Sequence, residues 1–379
     1  MNNIINTALL KEHLKRFWAI PTLSALVLLL GVYAPMFGNT SSHNSALQLI
    51  NIVSMGNVLM MSAIMLTPVV AVLCTFEFFF KKRAVTAFYS MPMNKDQLFA
   101  TNAIAGTILS LIPIFVFCVI LLLPLNFGYS DINFDLSYIR YGYEHLLKYG
   151  DNSFPLIAGL FLRLSLVTLF YFSLAWLAFS LSGHRIIGLI ILVVMPFIPL
   201  AFIGLLEFIA NEYAGRGHFS IISGRTFEWT AVCLYPVAWG GRIRATRIID
   251  PSEAIMIPAI VCTTLTVAMS TGAYIISSIR KPERTGDSVM FIPVKNVLIF
   301  LFAFSFMFFG GLLFEGIWDN IAMMHIGLIV GFTIGYAVAQ MIAEKSFQIF
   351  GKLKYFPYFF GTITVLYLLM LFVTKVILS

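Results

Sequence analysis

Long apolar runs separated by short polar segments set the pattern of this chain. Runs of spanning length lie at 17–37, 54–77, 98–124, 155–180, 186–209, 255–278, 296–315, 321–343 and 356–375. A helix rises 1.5 Å per residue, so about 20 apolar residues cross a hydrocarbon core of ~30 Å. Barrel strands would instead alternate apolar and polar over about 10 residues. These runs are continuous, so the pattern predicts an all-α polytopic membrane protein with nine spans.

Composition agrees. Of 379 residues, 60% are hydrophobic and 11% charged, against about 25% charged in an ordinary soluble domain. Too few polar side chains remain to cover a water-soluble body of this size. Phe is abundant, with 37 residues, as suits side chains that face acyl chains or pack between helices. Of the four cysteines, Cys74, Cys118, Cys233 and Cys262, no pair has metal-ligand or CxxC spacing, and they read as small core hydrophobes. The first run exceeds the ~7–15 residues of a signal-peptide apolar region, and no A-x-A site follows it.

The net charge of +7 is a topology signal rather than a nucleic-acid footprint. Its cations fall in clusters between the apolar runs. With the N-terminus inside, the inner segments hold Lys11, Lys15, Arg16, Lys81, Lys82, Arg83, Lys95, Arg185, Arg280, Lys281, Arg284, Lys295, Lys345, Lys352 and Lys354. The outer ones hold Arg140, Lys148, Arg216, Arg225, Arg242, Arg244, Arg247 and Lys375. The excess of basic residues inside predicts a cytoplasmic N-terminus in the cell membrane. Arg242, Arg244 and Arg247 run against that orientation. Nine spans place the C-terminus outside; either the count is off by one, or an outer domain follows in a longer parent chain.

Two segments fall outside the spans. Residues 1–16 place Leu10 and Leu14 in line with Phe17, with Lys11, Lys15 and Arg16 beside them. This reads as an interfacial helix on the cytoplasmic surface in contact with lipid, or as an extension of the first span. Segment 210–254 contains the apolar stretch Trp229–Trp239, too short to cross. It reads as a re-entrant or interfacial piece on the outer face.

The segment between spans two and three carries the functional signal. From Glu77 it runs through Lys81-Lys82-Arg83, a short apolar stretch to Tyr89, and then Ser90-Met91-Pro92-Met93-Asn94-Lys95-Asp96-Gln97-Leu98-Phe99. Pro92 stops any helix before it. Asn94, with Gln97 three residues on, has the spacing of a capping box for the helix that enters span three. The stretch resembles the cytoplasmic elbow of ABC-2 type transporter permeases, at Glu77, Lys82–Arg83, Ala84, Phe88, Ser90, Pro92, Asn94, Lys95 and Leu98–Phe99. It departs from that pattern at Ala84, where Gly is frequent, and in register at Val85 and Thr86. A second stretch, Arg280-Lys281-Pro282-Glu283-Arg284-Thr285-Gly286-Asp287, is similar to segments of Gram-positive permeases of this kind.

The resemblance implies a six-helix ABC-2 core over 17–280, with a coupling elbow at 81–99 and the outer re-entrant segment at 210–254. About three additional C-terminal helices follow over 281–379. It also implies that Glu77, Arg83, Phe88, Met91, Pro92, Asp96 and Phe99 couple to a separate cytoplasmic ABC ATPase, which holds the ATP and magnesium. A second permease copy or a homologous permease would complete the pathway. The residues alone equally describe an ordinary positive-inside loop.

No G-x-x-x-x-G-K-[ST] phosphate loop, H-E-x-x-H or G-x-S-x-G occurs, so the chain is expected to carry no cofactor and no catalytic site. Arg163 is the ionisable residue inside a span, with Glu207 and Glu315 as candidate partners. It reads as a pathway charge, a structural ion pair or a snorkelling cation. Gly331 and Gly335 form G-x-x-x-G in span eight, a spacing that permits close helix contact.

The expected function is export of a hydrophobic or amphiphilic substrate, such as a peptide, lipid or drug. The alternative is a membrane sensor or immunity protein that binds an antimicrobial peptide or lipid at its outer loops without transport. An ion-coupled transporter would show broken helices and midplane carboxylates, and neither is evident in the sequence.

Overall fold

The structure is a computed structural model. It describes residues 5–38, 58–81, 90, 93–127, 154–196, 198, 251–280, 292–318, 321–344 and 356–377. All regular structure among these residues is helical: α1 (Thr7–Arg16), α2 (Ala19–Gly38), α3 (Val58–Thr75), a 3₁₀ turn (Glu77–Phe79), α4 (Lys95–Phe127) and α5 (Phe154–Leu181). There follow α6 (Arg185–Pro196), α7 (Pro251–Ile279), α8 (Ile292–Trp318), α9 (Ile321–Glu344) and α10 (Phe356–Ile377). Each of the nine apolar runs therefore carries a helix, although the fifth is described only to Pro196 and Ile198.

Among the described residues, five helices are long and apolar enough to cross a membrane, or six if α1 and α2, bent by 50° to each other, form one span. These helices make the chain a multi-pass membrane protein. Segment 210–254 lies outside the described residues.

The helices group into two compact units. The first holds α1–α4, α5 as far as Leu177, and α7. Here α2, α3 and α4 pack pairwise, α1 lies on α4, and α7 also touches α4. Small residues set the approach. A Cβ added at Gly31 would sit 3.1 Å from Met60 N, and one at Gly106 would sit 2.6 Å from the Phe172 ring and 3.1 Å from Thr75 Oγ1. Gly106 is thus where α3, α4 and α5 converge. Within its apolar window α5 is 78% buried, whereas α7 is 11% buried, so α5 is central and α7 peripheral.

Hydroxyls inside these helices are satisfied locally. Thr75, Ser110 and Thr168 donate to the carbonyl four residues back at 2.9, 2.7 and 2.8 Å, which removes the cost of an unpaired polar group in an apolar surround. One bond crosses between helices, from Thr67 Oγ1 on α3 to Ser24 Oγ on α2 at 2.8 Å.

The second unit holds the segment beginning at Phe79, the last turn of α5 from Ala178, then α6 and α8–α10. Its spine is a glycine seam between α8 and α9. A Cβ added at Gly310 would lie 2.5 Å from Gly327 O, and one at Gly331 2.4 Å from Phe306 O. The expectation that Gly331 and Gly335 serve close packing holds at this seam. Lys295 near the start of α8 pairs with Glu344 at the end of α9. Phe332 and Tyr336 on α9 pack against Phe356, Phe359 and Phe360 of α10. Farther along, Tyr367 OH and His325 Nε2 lie 2.9 Å apart. An apolar cavity of about 50 Å³ opens among Ile187, Ile191, Leu298, Phe302 and Ala339, too small to pass a substrate.

Candidate functional site

In the first unit, the chain leaves α3 through the 3₁₀ turn and returns at Asn94, and both stems of the elbow are described. The outgoing stem is anchored by aromatic side chains. Phe76 and Phe78 are fully buried. Phe76 stacks on Trp176 of α5 with ring centroids 5.4 Å apart, and Phe78 stacks on Phe99 of α4 at 6.0 Å. Such pairs add roughly 0.5–1.5 kcal/mol each beyond area burial. Glu77, between them, turns outward and lies 3.9 Å from Arg16 of α1. That pair is long and half in solvent, so it contributes little stability.

The returning stem begins at Asn94, whose carbonyl accepts from Leu98 N at 3.0 Å. Asp96 follows in the first turn of α4, where a carboxylate complements the helix dipole. It is exposed and accepts a 2.8 Å hydrogen bond from Tyr274 OH of α7. Phe99 is fully buried against Phe78. Its place in coupling is therefore as an anchor of the stem and not as a docking surface. Arg83, Phe88, Met91 and Pro92 lie outside the described residues.

α1 sits over the start of α4. Asn6 caps α1 by accepting from Ala8 N and Leu9 N, both at 3.1 Å. Its own N–H donates to Thr101 Oγ1 at 3.0 Å. His13 is buried and stacks on Phe17 at 5.8 Å. Burial holds its imidazole below the usual histidine range; a hydrogen bond with Asn102 opposes that effect, and the nearby Arg16 charge adds to it. Arg16 itself lies over the Phe17 ring at 5.3 Å.

In the second unit, the segment from Phe79 meets the end of α5. Arg280, the first residue after α7, is buried with 3% of its surface exposed. One guanidinium nitrogen donates to Phe179 O at 3.2 Å and Ser180 O at 3.3 Å. The other donates to Phe79 O. The guanidinium carbon lies 4.2 Å from the Phe79 ring centroid. Phe80 then packs edge-on against Phe179 at 5.6 Å, and Arg185 lies 5.9 Å from the Phe80 ring.

Among the other expected residues, Arg163 is half-buried on α5 in the first unit, and Glu315 is half-buried on α8 in the second. Glu207 lies outside the described residues. Among the described residues no group of three or more His, Cys, Asp or Glu side chains is placed to hold a metal ion.

The sequence missed Tyr274, His13, Trp176 and the partners of Arg280. Tyr274 is one tyrosine among fifteen, and its partner Asp96 is 178 residues away. Only a cation placed directly after an apolar run marks Arg280 in advance.

No model of a known protein family matches the chain. Neither a curated protein nor a solved structure resembles it significantly.

Proposed function

We propose that the chain is the membrane-spanning permease subunit of an ATP-driven exporter, energised by a separate ABC ATPase that docks on the elbow between α3 and α4. One observation carries this reading. Both stems of the elbow are seated firmly in the helices, the outgoing one by Phe76 and Phe78 and the returning one by Phe99. A loop that only marks topology needs no such anchorage. A loop that transmits force does, because any looseness at its stems would dissipate a displacement before it reached the spans.

The ATPase would supply ATP and magnesium, and this chain would supply the moving helices. A second copy or a homologous permease would pack on an exposed helix such as α7 and enclose the path. Closure of two ATPases would then shift the spans from inward-facing to outward-facing. The apolar character of the spans favours hydrophobic peptides, lipids or drugs over sugars.

The test is purification of the tagged chain from its native membrane, followed by assay for a bound Walker-motif ATPase and vanadate-sensitive ATP hydrolysis. Phe88→Asp and Met91→Asp are each expected to release the ATPase while the permease keeps its wild-type elution profile. Retention of the ATPase by both variants refutes the docking assignment. Binding of an antimicrobial peptide with no ATPase in any complex would favour the sensor reading instead.

A further inference from the structure

We infer that Arg280 is a positioning residue that makes the elbow's outgoing stem and the end of α5 move as one body. Its purpose rests on the permease reading; its geometry does not.

The last four carbonyls of an α-helix have no partner within the helix. In α5, which ends at Leu181, Phe179 O and Ser180 O are two of these, and Arg280 donates to both from one nitrogen. A cation at this end also complements the negative pole of the helix. The second nitrogen donates to Phe79 O, at the end of the 3₁₀ turn that leads into the elbow. A single rigid side chain thus bonds two segments 100 residues apart in sequence.

Burial makes the arrangement demanding. A guanidinium with 3% exposure has given up most of its hydration and must recover it from protein acceptors. Carbonyls from both segments supply that recovery, and the Phe79 ring covers one face at 4.2 Å. If the stem were to shift without α5, the guanidinium would lose acceptors on one side while remaining buried. Motion of one segment is therefore tied to the other. The planar fork suits this task and a lysine ammonium does not, since Lys has no plane to lie on the ring and no paired nitrogens to span two segments.

Hydrogen exchange of the purified full chain, read by mass spectrometry, tests the tie directly. Arg280→Met is expected to raise exchange about tenfold or more in peptides covering both 77–81 and 177–184, with the α8–α9 seam unchanged. Arg280→Lys keeps the charge but loses the fork and should fall between. Should Arg280→Met loosen the whole chain, Arg280→Lys carries the test, with a rise at both segments and not at the seam. A rise at one segment alone, or at neither, overturns the inference.

A second arm uses the complex with its ATPase, trapped with MgATP and vanadate. Trapping is expected to alter exchange at 177–184 in the wild type. In Arg280→Lys that response should vanish although ATP hydrolysis persists. An unchanged response in the variant, or none in the wild type, overturns the relay. If no ATPase binds the wild-type chain, the permease reading fails, and the first arm still decides whether Arg280 ties the two segments.

Discussion

The glycine seam of α8 and α9 allows a prediction with a worked magnitude. Gly331→Ala adds one carbon to α9 where backbone of α8 already stands. That carbon would lie 2.4 Å from Phe306 O, 3.0 Å from Gly310 Cα and 3.2 Å from Met307 Cα. All three neighbours are main-chain atoms, so none can rotate away. Ordinary contact begins near 3.4 Å, so the helices must part by about 1 Å around this point. A radial gap of about 0.5–1 Å forfeits a quarter to a half of each contact, worth ~0.1–0.2 kcal/mol per atom pair. Over roughly 50 atom pairs the loss is about 2–3 kcal/mol, within the range known for overpacked cores. In lipid no hydrophobic driving force between helices offsets it, since the acyl chains are as apolar as the seam.

The assay is hydrogen exchange of α8 and α9 amides in detergent, with α3 and α4 as internal reference. Gly331→Ala should speed exchange at the seam by roughly 30- to 150-fold, given about 1.4 kcal/mol per tenfold. Gly316→Ala is the control. A Cβ there meets nothing within 4 Å, so the substitution should leave the seam unchanged or steady α8 by up to about 1 kcal/mol through the usual preference for Ala in helices. If Gly331→Ala exchanges within twofold of the wild type, the seam is not held by backbone contact and the reasoning fails.

Two further outcomes concern α1. Asn6→Ala removes the acceptor of two bonds to Ala8 N and Leu9 N; it should cost about 1 kcal/mol of α1 stability, seen as about fivefold faster exchange in residues 7–16, with Asn6→Ser retaining most of the protection. The docking of α1 should also weaken in acid. Burial lowers the His13 pKa, so the unfolded or undocked helix takes up the proton more readily. The stabilisation is complete above the unperturbed value of about 6.5 and is lost as pH falls from there through the lowered folded value. Trp18 is 63% exposed; its fluorescence, obtained by difference against Trp18→Phe, should change over that window, and His13→Gln should abolish the dependence. A flat profile in the wild type counts against the buried, neutral histidine.

Run length alone located the spans, and local capping chemistry located one boundary. Asn94 was legible as the cap of the third span, and α4 starts at Lys95, three residues ahead of the apolar run, because Lys95, Asp96 and Gln97 form a polar first turn. The bend between α1 and α2 was less visible. It falls at Phe17 and Trp18, two residues as apolar as the span they precede, so hydropathy alone joins what the backbone separates.

Which helix packs on which was not legible, for a physical reason. In water a helix shows its buried face because the other face is polar. In a bilayer both faces are apolar, and Phe115, exposed on α4, looks the same in sequence as Phe117, buried two residues later. What distinguishes the faces is small residues and rare polar groups. Gly331 and Gly335 revealed one side of the seam, but their counterpart Gly310 has no partner at four-residue spacing and stayed unremarked. The polar contacts Tyr274–Asp96 and Arg280–Phe79 join residues 178 and 201 apart, beyond any local pattern. These few contacts nevertheless carry positional information that the apolar surfaces lack. Apolar surfaces can slide past one another at little cost, whereas a buried guanidinium on three carbonyls has one register. On that ground the end of α5 and the turn at Phe79 are the parts of this protein best placed to respond to force at the elbow.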